Sequence, residues 1–241
     1  MKTKNTLLAL AVTSFLGAAN CFAATNLITN GDFETGTFAG WNNASQTGSS
    51  GSRQISVPGT ATPLTGGVTP PNGEGGAFYA VTDQSGPGSY ALSQVFSIPS
   101  APSRVILSFQ MFNRTDALES INPGGLDYTL VPNQHARVDI LGSTAGVFST
   151  SALDVLQNFY IGINPSNPSS YTDYSFDITG LVSTPGDYML RFAQVDNRNL
   201  FSQGVDNVSV SFEAVPEPSS VLLGTVGLIG LLRRRRRAMA A

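Results

Sequence analysis

Between Ala24 and Glu213 no apolar stripe recurs at helical spacing over three turns, and short runs of alternating apolar and polar residues stand in its place. Val105–Phe112, His135–Leu141, Tyr174–Ile178, Tyr188–Val195 and Val208–Phe212 all follow a period of two. Between them lie turn-forming clusters: TGSSGS, PPNGEGG, SGPGS, NPGG and NPSNPSS. Side chains on a strand point alternately to its two faces, so a period of two buries one face and wets the other. Many such runs with frequent turns predict an all-β chain folded as an antiparallel β-sandwich. Leu153–Tyr160 reads equally well as a strand or a helical turn, and Asp196–Asn199 reads as a hairpin loop.

Charge and residue counts remove several functions. The body Ala24–Glu213 has no lysine, six arginines and fifteen acids, a net charge of −9. Phosphate binding needs clustered Lys and Arg, so nucleic acid is excluded as a partner. One cysteine and one histidine in the whole chain leave no disulfide scaffold and no multi-ligand Cys/His metal site. No G-x-S-x-G elbow and no G-x-x-x-x-G-K loop occur. His135 sits in an alternating run, where a lone histidine reads as structural. Fifteen acids make many pairs, and spacing selects none of them for glycoside cleavage. The expectation is a protein that is not an enzyme.

The two ends read as addresses. Lys2 and Lys4 precede the apolar run Leu7–Ala19, and Cys21-Phe22-Ala23 offers small residues for cleavage after Ala23. Residues 1–23 are therefore a cleaved signal peptide. Lipidation at Cys21 is the rival reading, and Asn20 just before it is not the small residue a lipobox wants. At the other end Val215-Pro216-Glu217-Pro218 is followed by Ser219–Leu232, which is apolar or small, and then by Arg233, Arg234, Arg235, Arg236 and Arg237. The two prolines prevent a helix from continuing through them. Fourteen helical residues reach roughly 21 Å, short of a ~30 Å hydrocarbon core, and the arginines directly behind favour a short transmembrane helix with a cytoplasmic end. Motif, short helix and terminal arginine cluster in this order resemble a PEP-CTERM sorting signal over residues 214–237, with 238–241 a cytoplasmic tail. That resemblance implies export in a Gram-negative bacterium and anchoring of the precursor at the inner membrane. It further implies recognition by an exosortase-type membrane enzyme and delivery to the surface or polysaccharide matrix.

The body, residues 24–213, opens N-L-I-T-N-G-D-F-E over Asn26–Glu34, continues to Gly40-Trp41, and closes G-V-D-N-V-S-V over Gly204–Val210. These ends resemble the first and last strands of jelly-roll carbohydrate-binding modules with a galactose-binding-like fold. The resemblance implies a jelly-roll sandwich and a carbohydrate ligand. It also implies a structural Ca²⁺ held by Glu34, the Gly31 carbonyl and Asp206, with Asp32 adjacent. If Asp32–Glu34 is a strand, both acids share one side and Phe33 faces the core. Tyr160, Tyr171 and Tyr174 flank the NPSNPSS loop and are the candidates for stacking on a sugar ring; Trp41 reads as core. The expected function is an exported, non-catalytic surface or matrix protein whose sandwich binds polysaccharide. Its alternatives are a structural or adhesive matrix protein without a discrete ligand and a glycan hydrolase.

Overall fold

The alternating runs become strands because each lays every second side chain against an opposing sheet. The computed structural model describes residues 24–59, 76–115, 125–130, 132–163, 171–198 and 200–215. The unit Ala23–Val215 holds all the described strands. The other unit, Met1–Phe22 with Pro216–Ala241, lies outside the described residues, and with it the expected leader and transmembrane helix. No described helix is long and apolar enough to cross a membrane.

The strands are β1 (Thr25–Asn26), β2 (Asn42–Ser45), β3 (Gly51–Ser56), β4 (Tyr79–Gln84), β5 (Gly88–Ile98), β6 (Pro102–Thr115), β7 (Gln134–Gly142), β8 (Val155–Gly162), β9 (Thr172–Asp177), β10 (Gly186–Asp196) and β11 (Phe201–Ala214). Two antiparallel sheets result. One runs β3-β4-β11-β6-β9, with β1 also paired to β11; the other runs β2-β5-β10-β7-β8. This is the expected all-β sandwich. The first and last strands lie side by side, with Thr25 opposite Phe212 and Asn26 opposite Ser211.

Leu107, Phe109, Val205 and Val210 of the first sheet share one buried core with Leu92, Val138, Ile140, Leu190 and Phe192 of the second. Phe109 and Phe192 meet across the two sheets edge to face, 5.1 Å between ring centres. Each such buried apolar side chain contributes about 1.5–3 kcal/mol.

Further along the same inward faces the core turns polar. Arg53 donates to Gln203 Oε1 at 2.8 Å, and the Gln203 backbone N–H donates to Thr82 Oγ1 at 2.8 Å. Thr82 Oγ1 donates to Gln194 Oε1 at 2.5 Å, and Gln194 Nε2 donates to Gln84 Oε1 at 3.2 Å. Gln84 Nε2 then donates to Asp196 Oδ2. All six residues are buried. A buried guanidinium is thus joined to a buried carboxylate through threonine and glutamine groups of both sheets. Burial pulls the Arg53 guanidinium down from its ordinary value.

Candidate functional site

The N-G-D-F-E segment is not the strand its alternation suggests. Residues 29–36 form a run of turns between β1 and β2, and Asn30 and Phe33 adopt left-handed backbone angles, φ 50° and 56°. Asn tolerates that region because its short side chain bonds locally. Asn30 Nδ2 donates to Thr37 O at 2.8 Å, and its Oδ1 accepts from Thr35 Oγ1 at 3.0 Å. Phe33 is still the buried residue of the segment. Its ring lies 5.6 Å from Trp41, whose own ring is 6.2 Å from Phe192. Trp41 is core, and its indole N–H donates to Asn30 O at 3.0 Å. Asp32 and Glu34 are both exposed, as the alternation expected, but the turn and not the pleat puts them there.

The turn docks on β11 at a bulge. Register between β11 and β6 shifts between Asp206 and Ser209, and Asn207 there is left-handed with φ 49°. Val208 N–H donates to Gly31 O at 2.9 Å. A side chain at Gly31 would put its Cβ 1.9 Å from Val208 O, so only glycine allows this approach. Asn26 Oδ1 accepts from Ile28 N at 3.0 Å and from Val210 N at 3.1 Å, closing the other end.

Between turn and bulge lies a cleft of about 260 Å³ lined by Asn26, Ile28, Asn30, Gly31, Asp32, Asn207, Val208 and Ser209. Its wall is the two sequence motifs from opposite ends of the body. Asp32 Oδ1 accepts the Glu34 N–H at 3.3 Å, and Asn207 Nδ2 donates to Gln110 Oε1 at 2.9 Å. Asp32 Oδ2, Asn26 Nδ2 and Ser209 Oγ remain as a carboxylate acceptor, an amide donor and a hydroxyl. These groups complement an uncharged polyhydroxyl ligand.

Two of the four residues expected to hold Ca²⁺ belong to the cleft lining. Gly31 and Asp32 line the cleft, while Glu34 and Asp206 do not. Glu34 Oε1 accepts the backbone N–H groups of Ala77 at 2.7 Å and Phe78 at 3.0 Å, tying the turn to the segment before β4. Asp206 is buried, and its Oδ1 accepts the Asn207 N–H at 2.7 Å. Among the described residues no group of three or more His, Cys, Asp or Glu could hold a metal ion.

The three tyrosines separate. Tyr160 of β8 and Tyr174 of β9 meet edge to face at 5.9 Å, and Tyr174 stacks on Phe109 at 4.9 Å. The Tyr160 hydroxyl accepts from Asn113 Nδ2 at 2.8 Å, and burial pushes its phenol up to about 12. Both close the β8–β9 side of the core. Tyr171 packs instead with Tyr79 and Phe112 in a separate cluster, and burial pushes its phenol up as well. Of the sorting residues only Val215 falls among those described, and it is exposed; Pro216, Glu217, Pro218 and Arg233–Arg237 lie outside, as does Ala23.

A second polar centre went unread in the sequence. Asp139 of β7 stands directly opposite Arg191 of β10. Arg137 Nε and Nη2 donate to the Asp139 carboxylate at 2.8 Å each, Arg191 Nε donates at 3.0 Å and its Nη2 also donates, and Asn158 Nδ2 adds a bond at 2.8 Å. Arg191 Nη1 donates to Val147 O at 3.0 Å and Ser149 O at 2.6 Å, pinning the β7–β8 connection to the sheet. Burial pushes the Asp139 carboxyl up, but the Arg137 bonds and both guanidinium charges outweigh it and hold the group below the ordinary carboxylate range. The Arg137 bonds lie within β7, while those of Arg191 and Asn158 tie β7 to β10, to β8 and to the β7–β8 connection.

Residues 214–237 match the PEP-CTERM protein-sorting motif. No curated protein matches the chain. Among solved structures, the chain is similar to a family 61 carbohydrate-binding module in complex with β-1,4-galactotriose, at 12% identity and TM-score 0.47, covering 78% of this chain and 99% of that one. It is similar to the K3 cleaved adhesin domain of Lys-gingipain from Porphyromonas gingivalis at 14% identity and TM-score 0.47, covering 79% and 100%. It is also similar to a family 28 carbohydrate-binding module specific for non-crystalline cellulose, at 14% identity and TM-score 0.42, covering 80% and 98%. No ligand of this chain follows from these similarities.

Proposed function

We propose that the chain is an exported, non-catalytic protein whose tail anchors the precursor in the inner membrane until an exosortase-type enzyme processes it for the cell surface or extracellular matrix. The observation that carries this reading is the match of residues 214–237 to the PEP-CTERM sorting motif. The leader read over residues 1–23 supports export through the same membrane. In the non-catalytic part of the reading, the buried acids Asp83, Asp139, Asp196 and Asp206 are each committed to hydrogen bonds within the fold. The host test is direct. Glu217→Ala, or deletion of Arg233–Arg237, leaves unprocessed precursor in the cell; unchanged surface delivery of both variants overturns the reading.

The sandwich then binds polysaccharide at the cleft between the Asn26–Asp32 turn and the Asn207–Ser209 bulge. The carboxylate, amide and hydroxyl there suit sugar hydroxyls, and the exposed Asp32 can be changed without touching the core. Electrophoresis of the body Ala24–Val215 through gels loaded with host polysaccharide reads this out. Wild type is retarded and Asp32→Ala migrates as in an empty gel; equal retardation of the two rejects the cleft. The alternative, a structural or adhesive matrix protein, is favoured by one observation, the edge strand β8, which carries no charged residue and exposes Leu156 and Ile161.

A further inference from the structure

Asn30 and Gly31 both line the cleft, and together they make an Asn-Gly pair. In such a pair the glycine nitrogen, with no Cβ beside it, can reach the side-chain carbonyl carbon of the asparagine. The turn holds both groups in other bonds. Asn30 Nδ2 donates to Thr37 O at 2.8 Å and to Ala39 O at 3.3 Å. Its Oδ1 accepts from Thr35 Oγ1 at 3.0 Å and from Thr35 N at 3.4 Å. The peptide that joins the pair is held as well: Asn30 O accepts the Trp41 indole N–H at 3.0 Å, and Gly31 O accepts the Val208 N–H at 2.9 Å. Closing a ring needs the amide and this peptide to rotate towards each other, so these bonds must first break.

We propose that Asn30 is a deamidation site gated by the turn, and that its conversion undoes the turn one way. In the opened turn Gly31 N attacks Asn30 Cγ. The N–Cγ bond forms, the Cγ–Nδ2 bond breaks, and Nδ2 leaves as ammonia with the proton of the Gly31 N–H. Water then opens the cyclic imide at either carbonyl, giving aspartate or isoaspartate; no oxidant or reductant enters. The product does not fit the turn. An aspartate carboxylate has no N–H to donate and would face the Thr37 and Ala39 carbonyl oxygens. Isoaspartate adds a backbone carbon beside Gly31, where a Cβ would already stand 1.9 Å from Val208 O. The site rests on the turn alone and not on what the cleft binds.

Incubation of the body Ala24–Val215, which contains its own core, in alkaline buffer with and without urea tests this. The samples are then denatured and digested with trypsin. The body has no lysine and its first arginine is Arg53, so the peptide Ala24–Arg53 contains one Asn-Gly pair, that of Asn30. Its amide-to-acid mass increase accumulates at least about tenfold more slowly in folded than in unfolded protein, because only the opened turn reacts. Thr35→Val, at an exposed position, removes one bond to Asn30 and speeds the folded reaction roughly fivefold without changing the reaction in urea. In an Asn72→Gln background Asn30 belongs to the only Asn-Gly pair of the body, and its more acidic product, separated by ion exchange, melts below the unreacted protein. Equal rates in folded and unfolded protein overturn the proposal. So does an unchanged folded rate in Thr35→Val, or a deamidated fraction that melts with its parent.

Discussion

Replacing Asp139 by Asn keeps the volume of the side chain and removes the only carboxylate between two guanidinium groups. Arg191 is fully buried and Arg137 is 5% exposed, so neither recovers water easily. Asp139 accepts four N–H bonds from these arginines and one from Asn158. Removing one member of a buried ion pair costs about 3–5 kcal/mol, because the remaining charge is left unpaired. In a body of this size each kcal/mol shifts the melting temperature by about 2–4 °C, so the expected loss is about 6–20 °C. Thermal unfolding followed by circular dichroism measures it. The folded Asp139 carboxyl lies below its unfolded value, so its contribution is full above about pH 4 and disappears as pH falls through the folded value. Wild type therefore loses part of its margin over the variant on acidification. Replacing all three charges together by apolar groups of similar volume brings stability back towards wild type. A drop below about 2 °C for Asp139→Asn, or a margin independent of pH, refutes the reasoning.

Two other predictions follow from the same physics. Arg53 has no carboxylate among its hydrogen-bond partners; Gln203 accepts from its Nη1 and Nη2, while the buried Nε has no partner among the described residues. Gln203→Leu therefore lowers stability by about 1–3 kcal/mol in urea titration, whereas the double variant Arg53→Met/Gln203→Leu recovers most of that loss. Equal losses in the single and double variants remove the pairing argument. Glu34 accepts the backbone N–H groups of Ala77 and Phe78, and Asp206 accepts that of Asn207 at the cleft. With Ca²⁺ held by these acids and the Gly31 carbonyl, the body melts higher in millimolar calcium than in chelator and Asp206→Ala abolishes the rise; equal melting in calcium and chelator removes the metal site.

Strands whose apolar and polar residues alternate were legible in the sequence even where, as in β7 and most of β10, both faces are buried. β6, β7, β9 and β10 each contain an alternating run that the sequence shows directly. β4 and most of β5 were not, because apolar residues stand consecutively in Tyr79-Ala80-Val81 and Tyr90-Ala91-Leu92 and leave no alternation to read. Only the second half of β11 was read, since the bulge at Asn207 shifts the phase of the strand. Of the two readings of Leu153–Tyr160, the strand holds, from Val155. At the candidate site the sequence identified the two motifs that meet but misjudged their form. Alternation in N-G-D-F-E looked like a pleat, while the left-handed backbone at Asn30 and Phe33 made it a turn whose Glu34 accepts the Ala77 and Phe78 N–H groups. The Asp139–Arg191 pair is separated by 52 residues and depends on the register of β7 against β10, which no local pattern encodes.

The account turns on a tail that directs the chain to the surface and is then removed. Intact mass of the protein recovered separately from the membrane fraction and from the cell surface tests this most directly. The account predicts an N-terminus at Ala24 in both pools, with Arg233–Arg237 retained in the membrane pool and missing from the surface pool. A surface form that still carries the arginine cluster contradicts it.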